Sequence, residues 1–209
     1  MEIQRTANAG AWLKMDGVSI LLDGLCDGID IYLPTPPYLA DSLLANLPDV
    51  LAFTHNHPDH YSEALLLPYR KQNLRPILGP EYLPNEVLRI GEVTITPVPS
   101  RHIGKNEPGL SHHSLIIKGS KCVWFMGDAA PLQWKDRNDL PKADVLIAPF
   151  AYANTKMALD LSCALADEIV LLHLPERNND PYGLWPAVQA TTSGVKNLHI
   201  PEIGEKVHL

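Results

Sequence analysis

Four side chains able to bind a metal fall within six positions in the run His55-Asn56-His57-Pro58-Asp59-His60, directly after the apolar stretch Val50-Leu51-Ala52-Phe53. The apolar stretch reads as a short strand. In extended chain alternate side chains share a face, so His55 and His57 are expected to point the same way and to hold one ion together. Pro58 takes the chain out of the strand, and a turn there aims Asp59 and His60 at a second ion beside the first. Imidazole with carboxylate is the ligand mix of zinc, with manganese and iron as alternatives. A two-ion site needs more ligands than one loop supplies, and rigid strand ends are where they are best positioned.

Three such ligands follow strand-like segments. The β-branched, alternating run 93–99 (VTITPVP) leads to His102, the apolar run 122–126 (CVWFM) to Gly127-Asp128, and the run 168–172 (EIVLL) to His173. Each run is bounded by proline or a turn residue, as strands are. The ordered series His-x-His-x-Asp-His, His, Asp, His resembles the metallo-β-lactamase superfamily of hydrolases, from about Ile3 to the C-terminus. The resemblance implies a four-layer αββα sandwich, two mixed β-sheets with helices outside, holding two divalent ions. It assigns His55, His57 and His102 to one ion and Asp59, His60 and His173 to the other, with Asp128 bridging them. Asp23, in Ile20-Leu21-Leu22-Asp23-Gly24, stands where the family carries its first motif, and is expected to orient a ligand rather than bind metal. Asp-Gly is equally a strand-ending turn pair.

Within the superfamily, the short chain, the Val-Pro-Ser-Arg-His approach to the third ligand and the Phe-Met-Gly-Asp segment look most like the sugar-lactonase-like and uncharacterised hydrolase branch. The third-ligand stretch reads Arg101-His102-Ile103-Gly104-Lys105 where thioester and β-lactam hydrolases carry His-Thr-x-Gly-His, which speaks against those activities. The implied reaction is cleavage of a small ester, lactone or phosphodiester by hydroxide formed from water between the ions. Asp59 is expected to orient that water as well as bind metal. Arg101 and Arg177 are candidates for pairing with an anionic small-molecule substrate. His112 and His113 are candidates for the cleft, as proton donors to the leaving group, and residues 149–154 with Tyr152 are expected to border it. Two other readings stay open: an iron-dependent oxidoreductase on the same fold, and a non-catalytic metal-binding domain.

Composition narrows the rest. At 209 residues, 45% hydrophobic and 20% charged, the chain suits one ordinary domain. Its net charge of −7, with no Lys/Arg cluster, argues against nucleic-acid partners. No apolar run approaches the roughly 18 residues of a membrane span. The N-terminus carries no apolar secretory segment, and three widely spaced cysteines fit a reducing compartment, so the cytoplasm is the expected location. Cys122 and Cys163 read as small buried hydrophobes. Strands are expected at 2–6, 11–15 and 18–22, the last two joined by Asp16-Gly17, and residues 24–37 form a loop that flanks the cleft. Helices are expected at 38–46, at 62–67 with Ser62 as cap and Pro68 as stop, at 155–166 and at 184–192.

Overall fold

In the computed structural model, which describes residues 1–104, 108–137 and 139–209, successive side chains of the strand Val18–Leu22 enter different cores. Ile20 and Leu22 join Ile3, Leu13 and Val50 in a central cluster with Ile95, Phe125, Ile147 and Val170 of a second sheet. Leu21 faces the other way, onto Leu43, Leu51, Leu66 and Tyr69. A strand covered on both faces needs apolar residues at every position, which is why 20–22, 50–53 and 169–172 show no polar alternation.

In chain order the first half comprises β1 (Glu2–Arg5), β2 (Ala11–Met15), β3 (Val18–Leu22), α1 (Pro37–Ala45), β4 (Val50–Ala52), α2 (Glu63–Lys71) and β5 (Ile77–Leu78). Then come β6 (Leu88–Ile90), β7 (Val93–Pro99), β8 (His113–Lys118), β9 (Cys122–Phe125) and β10 (Ala143–Pro149). The chain closes with α3 (Lys156–Leu165), β11 (Ala166–Leu172), α4 (Leu184–Thr192), β12 (Leu198–His199) and β13 (Lys206–His208). One sheet has the order β13-β1-β2-β3-β4-β5, the other β12-β11-β10-β9-β8-β7-β6. Both are mixed: β3, β4 and β5 are parallel neighbours in the first, β9 to β12 in the second, and the remaining pairs are antiparallel. Leu43 of α1 and Leu66 and Tyr69 of α2 cover the outside of the first sheet. Leu159 of α3 and Trp185 and Val188 of α4 cover the second. The architecture is the αββα sandwich that the resemblance implies.

Three local expectations are corrected. Pro68 lies inside α2 instead of stopping it. A helix-interior proline costs about 3 kcal/mol, and here Leu66 and Tyr69, both buried, anchor the turn on either side of it. Cys163 is exposed, because α3 turns Ala158, Leu159 and Ser162 inward. The strand β6 is additional; its three residues are only partly covered and make too short a pattern to read. Among the described residues no helix is long and apolar enough to cross a membrane.

Candidate metal centre

Strands that run parallel within each sheet end on side chains that converge. The chain leaves three of them through left-handed backbone: Asp23 after β3 (φ 46°), Gly127 after β9 (φ 53°) and His173 after β11 (φ 63°). For Asp and His this conformation costs of order 1 kcal/mol, and such residues gather where a side chain must be re-aimed. At Gly127 the need is doubled, since a Cβ there would come 2.5 Å from Thr54 Oγ1.

Asp23, fully buried, organises one side of the centre. Its Oδ1 accepts the Thr54 N–H (2.8 Å), and its Oδ2 accepts both the Thr54 hydroxyl (2.6 Å) and His60 Nδ1–H (2.8 Å). Having given its proton to Asp23, the Thr54 hydroxyl accepts from His55 Nδ1 at 2.9 Å. His102 Nδ1 donates to the Ile103 carbonyl at 2.6 Å. Each of these three imidazoles thus has its outer nitrogen engaged and its Nε2 turned inward, the arrangement that fixes tautomer and ring direction in metal ligands. Thr54 has no role in the sequence reading; its position just before the His run is the only hint of one.

The inward atoms form two groups. The ligand atoms of His55, His57 and His102 lie within 4.8 Å of one another, as do those of Asp59, His60 and His173. His173 Nε2 is 3.1 Å from Asp59 Oδ2 and 3.2 Å from His60 Nε2. Asp128 lies between the groups: its Oδ2 is 3.5 Å from His102 Nε2 on one side and 3.5 and 3.3 Å from Nε2 of His60 and His173 on the other. Asp23, His55 and His60 make a further compact triple, but Asp23 meets His60 through Nδ1 and reaches His55 Nδ1 through the Thr54 hydroxyl, so it supports ligands and does not compete as a site.

A cation fits this donor set. Ligand atoms about 2.0–2.1 Å from a shared tetrahedral ion stand roughly 3.3 Å apart, and the separations above bracket that value. His55 Nε2, His102 Nε2 and Asp128 Oδ1 are buried without a hydrogen-bond partner among the described residues, a loss of about 1–3 kcal/mol each unless something else satisfies them. Electrostatics agree. Burial works against a charge on Asp128, yet the His173 and His60 imidazoles opposite hold its carboxyl well below the usual range. Burial likewise opposes a charged His173, but Asp128 and Asp59 raise it to about 9, and Asp128 with Asp23 raises His60. The second group therefore collects positive charge as protons where a metal ion would supply it.

The substrate-side candidates fare differently. Arg177 does not reach the cleft: its guanidinium pairs with Glu202 and lies 3.8 Å over the Trp185 ring. His113 is turned away as the first residue of β8 and packs on Tyr82, 4.6 Å between ring centres. Arg101 is exposed, its backbone pinned by Gln133 on both N–H and carbonyl. His112 is the one that enters the centre, 4.8 Å from the His55 ring, and its Nε2 accepts the Asp128 N–H at 3.0 Å. Tyr152 is fully buried, accepting a hydrogen bond from Trp134, and Phe150 and Ala151 line the cleft in its place. The loop 24–37 does flank the cleft, through Ile29, Asp30 and Tyr32. Lys105 lies outside the described residues.

Sandwich and His/Asp cluster together define a metallo-β-lactamase-type metalloprotein. The family profile of the beta-lactamase superfamily domain matches residues 3–171, and the chain belongs to that family. A search of curated proteins found no match. Among solved structures, a possible metal-dependent hydrolase from Veillonella parvula superposes with a TM-score of 0.72 at 16% identity, over 100% of this chain and 99% of that one. The isothiocyanate hydrolase from Delia radicum gut bacteria gives 0.67 at 18% identity, over 100% and 99%. CmlA, a diiron β-hydroxylase from Streptomyces venezuelae, gives 0.68 at 15% identity, over 100% of this chain and 54% of its own. At these identities the likeness is one of fold, and it spans both hydrolytic and oxidative chemistry.

Proposed function

We propose that the chain is a binuclear metal-dependent hydrolase of a small ester, lactone or phosphodiester, with zinc as the expected metal. One observation carries the reading: a single carboxylate oxygen, Asp128 Oδ2, stands 3.3 to 3.5 Å from inward imidazole nitrogens of both ligand groups. His55, His57 and His102 would hold one ion, Asp59, His60 and His173 the other, and Asp128 both. Bound divalent ions would lower the pKa of water to about 7 and polarise a carbonyl or phosphoryl oxygen. The chain's own residues do the placing. Asp59 lines the cleft with its Oδ2 3.1 Å from His173 Nε2, and its carboxylate is suited to accept a hydrogen bond from the attacking water. Asp23, through Thr54 and directly, keeps His55 and His60 in the tautomer that leaves Nε2 free. His112 uses its Nε2 to hold the Asp128 backbone, so it orients that residue and has no proton at that atom to give.

Metal analysis of protein purified without added metal, followed by assay of esters, lactones and phosphodiesters after zinc or manganese loading, tests the proposal. Two ions per chain and chelator-sensitive hydrolysis of one class are expected. Stoichiometric iron, colour and oxygen consumption without hydrolysis would replace the hydrolase by an oxidoreductase.

A further inference from the structure

We infer that the substrate is an uncharged ester or lactone carrying an apolar acyl chain; the inference rests on the hydrolase reading of the same site and narrows it. The cleft above His57, Asp59, Asp128 and His173 has a volume of about 610 Å³, ample for a small molecule. Beyond those side chains its walls are Ile29, Pro58, Ile103, Pro149, Phe150 and Ala151, six apolar residues contributed by four separate segments. Tyr32 adds its ring, edge-on to His173 at 4.4 Å.

The apolar lip is built, not draped. Ile29 is 51% exposed, and a lone exposed isoleucine would need no explanation. This one is fixed over the cleft. Ile29 and Tyr32 exchange backbone hydrogen bonds of 2.8 and 2.9 Å across a tight turn with Asp30 at φ 53°. The N–H groups of Asp27 and Gly28 both donate to the Pro58 carbonyl, at 2.8 and 2.9 Å, and Asn179 Nδ2 donates to the Ile31 carbonyl at 3.2 Å. The lip is thus tied to the ligand loop on one side and to the segment beyond β11 on the other, so an acyl chain meets a surface already in place.

Charge at the mouth points the same way. Asp30 is among the residues lining the cleft and its charge disfavours an anion there, and laying an anionic group against the apolar wall would strip its water without a partner. An uncharged acyl chain gains from the same contact. In the reaction the oxygen of water bonds to the carbonyl carbon, the acyl–oxygen bond breaks, and the alcohol departs with one proton of the water, leaving the carboxylic acid.

The test compares zinc-loaded full-length protein on p-nitrophenyl acetate, butyrate and hexanoate with p-nitrophenyl hydrogen succinate and bis-p-nitrophenyl phosphate. From acetate to hexanoate, kcat/KM should rise about tenfold, and the carboxylated ester should fall at least about tenfold below butyrate, as apolar pocket contacts of this size discriminate. Calorimetry of hexanohydroxamic acid against the monohydroxamate of adipic acid gives a readout independent of turnover, with the uncharged probe expected to bind at least about tenfold tighter. Ile29→Lys should keep its metal content and lose most of that discrimination. Equal binding of the two probes, or equal or faster cleavage of the succinate or the phosphodiester, overturns the inference and leaves the hydrolase standing. Preferential binding of the uncharged probe with no ester hydrolysed supports the cleft assignment and overturns the hydrolase.

Discussion

His55, His57 and His102 offer three imidazoles, two of them only partly buried, whereas Asp59, His60 and His173 combine a carboxylate with two imidazoles and are all buried. Outer nitrogens of the first group rest on neutral acceptors, the Thr54 hydroxyl and the Ile103 carbonyl. In the second group His60 rests on the Asp23 carboxylate. Behind His173 the buried Arg5 fans its guanidinium over the carbonyls of Asn8, Leu174 and Pro201, and the Asn8 carbonyl also accepts the backbone N–H of His173. One half of the centre therefore has no carboxylate of its own and is partly open to solvent through His57 and His102. The other concentrates negative charge in a rigid, dry setting, where each Coulombic interaction counts for more and a charge left uncompensated costs more. A partly open group without a carboxylate should exchange its ion readily; the buried, charged group should hold its ion firmly but only after giving up protons.

Asp128 belongs to both halves, so removing it should erase the contrast. Asp128→Ala is expected to lose most metal from both groups and to lower turnover beyond the roughly 10–100-fold typical of changes to a ligand's outer partners. Two ions retained with full turnover, by elemental analysis and assay, would remove Asp128 from its bridging position. Raising pH should sharpen the contrast. His173, raised to about 9, carries a proton at neutral pH that an entering ion must expel. Affinity of the second group should then climb about tenfold per pH unit for each proton displaced, roughly 100-fold from pH 7 to 9. The first group should respond less, since burial and neighbouring imidazoles push His55 down, and of its imidazoles His102, half-buried and raised by Asp128 against that burial, is the one expected to release a proton. Zinc titration calorimetry in buffers of different ionisation enthalpy counts the protons. The sign for stability follows: the raised His173 stabilises the metal-free fold fully below its ordinary value of 6.5, and that contribution is lost as pH rises through about 9.

Much of this was legible in the sequence, because its signals are local. The runs at 50–53, 122–126 and 168–172 announce strands by length and branching, and the His or Asp that follows each one is a candidate ligand by position. What stayed hidden depends on partners far along the chain. Thr54 matters through Asp23, 31 positions away, and Arg5 through Leu174, 169 away; no periodicity carries such pairings. Pro68 misled because a local rule about helix termination lost to the burial of Leu66 and Tyr69. Arg177 is near His173 in sequence but not in the cleft, because Glu202, 25 residues on, draws its guanidinium elsewhere.

Asp23 separates the halves more finely. Asp23→Ala removes the carboxylate on His60 outright and reaches His55 only through Thr54, so zinc affinity of the second group should fall about 10–100-fold and that of the first by less. Competition titration with a chromophoric chelator resolves the two constants. An equal loss in both would mean that Thr54, not the direct His60 contact, transmits the effect.

A smaller and more even change is expected at His112. Its Nε2 accepts the Asp128 N–H, so its Nδ1 carries the proton and donates to Ser100 Oγ at 2.8 Å. Ser100 in turn donates to Ser114 Oγ at 3.1 Å, and Ser114 to the Met126 carbonyl at 2.9 Å. Every proton in this chain has one place to go, and burial, foremost, holds His112 down to about 3, so the ring stays neutral and accepting. His112→Leu keeps comparable bulk but strands the Asp128 N–H, a cost of about 1–3 kcal/mol. Because Asp128 stands between the groups, both zinc constants should weaken together by about tenfold. His112→Gln, which can accept through its amide oxygen, should recover part of the loss, and Ser100→Ala should weaken binding less than His112→Leu. A leucine variant with a lowered melting temperature but unchanged zinc constants would reduce His112 to a packing role and leave Asp128 positioned by the turn at Gly127 and by the Ile103 N–H on its carbonyl.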